Sequence, residues 1–100
     1  MKISITNSAF RDLESIKEYY LEEDVPHIGG EFISAIIDHI QTLEQNPDIG
    51  RMVPEFNSSK IRELIHSPFR IVYLREKASI HVVRVWRSER ILVLPDEETS

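Results

Sequence analysis

The chain contains no cysteine. Disulfides and thiolate metal sites are therefore excluded. The absence agrees with a reducing compartment, and a cytoplasmic location is expected. No apolar run approaches the roughly 20 residues that a membrane span needs. The N-terminus lacks a basic segment followed by an apolar one, so no signal peptide is expected. Internal repeats and low-complexity segments are missing too. One hundred residues leave room for one core, and a chain this long buries enough surface to stand without staples.

Basic charge is scarce in the first half. Residues 1–50 carry three Lys or Arg against ten Asp or Glu, a balance of −7. Residues 51–94 carry nine against four, a balance of +5, and the last six residues add −3. A purely electrostatic nucleic-acid binder is more often basic overall, whereas this chain carries −5. Contact with a charged partner must come from a local patch in the second half. The alternative is that helices carry acids on their wet face and the sheet simply holds more arginine.

What is present is a sequence of elements with clear periods. Ile3 and Ile5 alternate with polar residues in Lys2 to Thr6, which predicts a short strand. Asn7 or Ser8 is expected to cap the helix that follows. Phe10, Leu13, Ile16 or Lys17, and Tyr20 form its apolar stripe. Glu22, Glu23 and Asp24 crowd its C-terminal end, where the helix dipole disfavours negative charge, so it should stop there. Pro26 suits the first turn of a second helix. Ile28, Phe32, Ile36, Ile40 and Leu43 form one stripe of that helix, widened by Ile33 and Ile37. Gly29 and Gly30 weaken its first turn and suggest close packing against the first helix. Asn46-Pro47 ends it.

Residues 51–59 read as a loop with Val53 and Phe56 as anchors. From Lys60 to Arg90, three runs rich in β-branched and aromatic residues are separated by two short polar breaks. That is the form of a three-stranded antiparallel meander. Phe69, Ile71 and Tyr73 line one face, and Val72 and Leu74 the other. On the last strand, Arg84 and Trp86 share a face while His81, Val83 and Val85 share the opposite one. Ile91 to Leu94 is a short apolar run, and residues 95–100 are expected to be an acidic disordered tail. The fold class is α+β: an N-terminal strand, an α-helical hairpin, then the meander, as a single domain over residues 1–94. The hairpin can cover one sheet face only. The second face needs the C-terminal run, a twin subunit or another protein.

Four local patterns resemble the RelE/ParE toxin superfamily of type II toxin–antitoxin systems. They are Asn46-Pro47-Asp48-Ile49-Gly50-Arg51, Ile61-Arg62-Glu63-Leu64, Phe69-Arg70-Ile71-Val72-Tyr73, and Val83-Arg84-Val85-Trp86-Arg87-Ser88-Glu89-Arg90. Their order and spacing cover the chain from Ile3 to about Leu94. The resemblance implies a toxin neutralised by a cognate antitoxin. RelE-type members cut messenger RNA in the ribosome, and their chemistry needs cations around the scissile phosphate and an acid–base group. Aligned on Phe69-Arg70, this chain has Ile61 and Glu63 at that branch's lysine positions, Ser88 at its later arginine and Leu94 near its tyrosine. Only Arg70 matches.

The ParE branch, which inhibits DNA gyrase, is more similar in its helix hairpin and Ile-Arg-Glu-Leu strand. It often has a histidine where this chain has Arg87. The resemblance thus implies gyrase as the target and no catalytic residues, no cofactor and no direct sequence-specific contact with nucleic acid. A ribosome-dependent ribonuclease and a non-toxic antitoxin-binding domain remain alternatives. So do a homodimer and a toxin–antitoxin hetero-oligomer.

The expected partner-binding residues are Arg62, Arg70, Arg84, Trp86, Arg87 and Arg90. Arg70 has a second reading, as a structural bridge to a helix carboxylate such as Glu14 or Glu18. Trp86 has one as core or interface filler. The four histidines, His27, His39, His66 and His81, are scattered at spacings that predict no metal site. His66 in a turn and His81 on a strand have no carboxylate or lysine paired with them in sequence, which argues against an acid–base role.

Overall fold

A computed structural model describes residues 1–88. Arg90, the Ile91–Leu94 run and the acidic tail lie outside the described residues. Strand β1 (Lys2–Ile5) leads into helix α1 (Asn7–Glu22), and helix α2 (Pro26–Gln41) continues into a 3-10 turn at Thr42–Glu44. Strands β2 (Arg51–Met52), β3 (Ile61–His66), β4 (Phe69–Arg75) and β5 (Ser79–Arg87) follow. The sheet order is β1-β5-β4-β3-β2. The meander is antiparallel throughout, and β1 runs parallel to β5, pairing Lys2 with Ser79 through Ile5 with Val82. The two-residue strand β2 falls within the stretch expected to be loop; Arg51 pairs with Glu63 and Met52 with Arg62. No helix among the described residues is long and apolar enough to cross a membrane.

Helix α1 is capped by Thr6, whose side chain accepts from the Ala9 N–H, and not by Asn7 or Ser8. Both of those expected caps are already helical. The stripe shifts accordingly. Ala9, Leu13 and Ile16 are buried, while Phe10 is 56% exposed. A stripe read from large residues alone overlooks a small one that is fully buried in the core. Asp24 has φ 62°, a left-handed residue just past the α1 C-cap Glu23, and the Val25 N–H donates back to the Tyr20 carbonyl. Gly29 packs where expected. A Cβ there would lie 2.9 Å from the Tyr20 Cβ, whereas at Gly30 it would meet nothing.

The main core joins α1 and α2 to one sheet face through Leu13, Ile36, Ile40, Phe69, Ile71, Tyr73, Ile80, Val82 and Val85. The expected division of β4 holds, with Val72 in a separate cluster on the opposite face. The expected alternation of β5 does not. Val72 pairs with Arg84 and Tyr73 with Val82, so Val83 is the extra residue of a β-bulge. The bulge resets the pleat. Val83 joins the second-face cluster with Trp86, while Val85 turns into the main core.

Candidate functional site: the second sheet face and the β5 rim

The face away from the helices is divided between a charged network and an apolar groove. Arg70 on β4 alternates with Phe69 and Ile71, which face the helices, so its side chain points away from them. Its expected helix partners, Glu14 and Glu18, are therefore out of reach. Instead Arg70 Nε donates to Glu63 Oε1 at 2.6 Å. Its two terminal nitrogens reach Glu55 at 3.0 and 3.1 Å. The second oxygen of Glu63 accepts from Arg51 Nε at 2.6 Å. Glu63 is 1% exposed and Arg70 6%. Two guanidiniums and two carboxylates thus close on one another, tying β2, β3, β4 and the loop after β2 together. Hydrogen bonding from Glu55 raises the Arg70 pKa first, burial opposes it, and Glu63 adds to the rise. The guanidinium stays charged, and each of its three nitrogens is already engaged by a carboxylate.

Beside the network, Phe56, Ile61, Val72, Leu74, Val83 and Trp86 line a groove of about 260 Å³. Arg84 forms its rim, with its guanidinium 4.6 Å from the centre of the Trp86 ring. Two bonds to Asp12 of α1, at 2.8 and 3.0 Å, fix that guanidinium. Bonding to Asp12 is also the leading cause of its raised pKa. Asp12 accepts the Val85 N–H as well, at 2.9 Å. This carboxylate replaces a strand: β1 ends opposite Val82, and no strand among the described residues pairs with that edge of β5 beyond it.

Beside that edge lies a second cleft, of about 380 Å³, between α1 and the end of β5. Ser15, Tyr19, Tyr20 and Arg87 line it along with Asp12 and Arg84. Arg87 lies on the helix side, with its guanidinium 5.7 Å from the ring centres of both Tyr19 and Phe69. Arg84 and Trp86 border both hollows.

The expected partner residues therefore do not form one patch. Arg84 and Trp86 sit together at the rim, with Arg87 around the edge on the other face. Arg70 is enclosed. Arg62 is turned to the loop before β2, where it donates to the Gly50 carbonyl at 3.0 Å. His81 has both ring nitrogens beside serine hydroxyls, Ser4 at 2.6 Å and Ser79 at 3.2 Å. His66 is the last residue of β3 and faces His39. Burial and then the neighbouring His66 push the His39 pKa below its ordinary value. Glu55, Glu63 and Asp12 are the residues that sequence reading left without these roles. Glu63 carried a signal, since a lone carboxylate within an apolar strand has to be paired if that strand is buried. Asp12 gave none, because its partners lie more than seventy residues away.

Comparison with solved structures finds the same fold in toxins. The chain superposes on the chromosomal ParDE toxin–antitoxin system from P. aeruginosa with a TM-score of 0.74 at 22% identity, covering 87% of this chain and 95% of that one. It superposes on a YoeB/ParE toxin from Agrobacterium tumefaciens with a TM-score of 0.59 at 18% identity, covering 87% and 98%. No curated protein matches the sequence. The sequence pattern of the ParE toxin of the type II toxin–antitoxin system, parDE, matches residues 3–92. With nearly the whole chain inside that match, and the hairpin, sheet and toxin-like fold in place, this chain belongs to the ParE toxin family.

Proposed function

We propose that this protein is a ParE-type toxin that acts by binding DNA gyrase and is neutralised in the cytoplasm by a cognate antitoxin protein. The observation that carries the reading is the closed Arg51–Glu63–Arg70–Glu55 network. A ribonuclease of the RelE type needs cations directed at a phosphate. Here the one arginine that matches that branch is held by two carboxylates, and Glu63 occupies a lysine position. Removing one well-placed electrostatic donor costs such a site about 10²–10³ in rate, and this chain departs at several positions. Gyrase inhibition asks only for a protein surface. The groove and the β5 rim supply apolar area, an aromatic ring and an arginine, the residue types that anchor protein interfaces.

The test pairs two assays on the purified protein. One measures DNA supercoiling and cleavage-complex accumulation by gyrase, and the other maps cuts in messenger RNA on translating ribosomes. Gyrase poisoning without codon-phased cuts is expected. Codon-phased cuts with gyrase unaffected would establish the nuclease instead, and silence in both would leave an antitoxin-binding domain.

A further inference from the structure

His39 and His66 are 27 residues apart in sequence and come together in the fold. Their Nδ1 atoms lie 2.9 Å apart, and the ring centres 5.1 Å apart with the planes at 51°. His39 is in the last turn of α2, and His66 ends β3. Both are half-buried, so each ring is oriented by its surroundings and still reached by solvent. The backbones that carry them are anchored in one core: Ile36 and Ile40 on the helix side, Leu64 and Phe69 on the sheet side. Two imidazole nitrogens held within hydrogen-bonding distance by a helix end and a strand end are already close to the spacing of two ligands on one ion.

We propose that His39 and His66 form a two-imidazole site for a divalent transition-metal ion of the zinc or nickel type. Zinc–imidazole bonds of about 2.0–2.1 Å at a tetrahedral angle separate the two nitrogens by about 3.3 Å. The present separation needs to open by only a few tenths of an ångström. Imidazole nitrogen suits zinc, nickel and copper and not the hard cations that prefer oxygen. In the neutral pair one Nδ1 carries a proton and the other accepts it. When the ion takes the gap, that proton leaves Nδ1, and solvent returns one to Nε2 of the same ring. Both rings then coordinate while neutral, and no net proton is released. No cluster of three or more His, Cys, Asp or Glu suited to a metal occurs among the described residues. Water therefore completes the coordination sphere, and the bound ion cross-links α2 to the sheet as a labile clamp.

The experiment uses the untagged full chain, stripped with a chelator and titrated with Zn²⁺ or Ni²⁺ alone. Saturable binding and a rise in melting temperature are expected for the native chain. His39→Gln and His66→Gln should each weaken binding by more than about tenfold and remove the thermal shift. His27→Gln, on the exposed start of α2, should leave both unchanged. Imidazole NMR signals of the native chain provide a readout independent of the variants: Zn²⁺ should move those of His39 and His66 and leave those of His27 and His81. No saturable binding by the native chain, equal binding by both central variants, or shifts confined to His27 would each overturn the site.

Discussion

Arg70 and Glu63 set the terms at the scale of single residues. A carboxylate at 1% exposure survives in an apolar sheet because two guanidiniums meet its two oxygens. Removing one member leaves a buried charge without its counterpart, which typically costs about 3–5 kcal/mol. Arg70→Ala is therefore expected to lower stability by roughly that amount, read from urea or thermal unfolding. An unchanged melting temperature would show that the network contributes nothing to the fold and would return Arg70 to the set of partner contacts. Arg84 differs. Its side chain is 41% exposed, so its pair with Asp12 is partly screened and belongs to the rim more than to the core.

At the scale of elements, two devices shape the site: a bulge and a docked loop. The bulge at Val83 puts Val83, Arg84 and Trp86 on the groove side while Val85 still packs under α1. Without it, the last strand would point Val83 and Val85 the same way. The loop before β2 is held by Tyr73, whose hydroxyl donates to the Pro47 carbonyl and accepts from the Gly50 N–H, both at 3.0 Å. A side chain at Gly50 would collide with this hydroxyl, since an added Cβ would lie 2.5 Å from it.

Tyr73→Phe leaves a buried N–H unsatisfied and is expected to cost about 1–3 kcal/mol at neutral pH. Burial raises the Tyr73 pKa above its ordinary 10.0. A raised pKa means the folded state favours the protonated phenol. Its stabilisation is complete below pH 10 and is lost as pH rises through the higher folded value. The stability gap between native protein and Tyr73→Phe should accordingly shrink above pH 10, as measured by urea unfolding across that range. A gap constant with pH would mean that the phenol is not the group that titrates.

At the scale of the whole molecule, the helix hairpin covers one face of the sheet, and no other element among the described residues covers the groove on the opposite face. Trp86 is the one tryptophan in the chain and borders both hollows. If the antitoxin docks there, Trp86→Ala should weaken its binding by roughly 2 kcal/mol or more, about thirtyfold, as expected of an aromatic anchor. Calorimetry against the protein encoded by the adjacent gene provides the measurement, with the melting temperature of the free variant as its control. Native affinity in Trp86→Ala would place the antitoxin elsewhere.

The two helices, the first strand and the three-stranded meander in their order, the helix stop near Glu22, the two faces of β4 and the family resemblance were legible in the sequence, whereas the short strand β2 was not. Each legible feature is a local matter of period, turn chemistry or contiguous pattern, which neighbouring residues carry by themselves. Other features required the tertiary structure. The parallel docking of β1 on β5 depends on how the helix hairpin packs, and the bulge depends on pairing between strands. Phe10 lies outside while its small neighbour Ala9 is buried in the core. Arg70 meets Glu55 and Glu63 and not a helix acid because strand alternation turns it from α1. His39 and His66 meet because the fold brings the last turn of α2 to the end of β3. Charges and imidazoles act through space, and a linear sequence does not state which of them the core will bring within bonding distance.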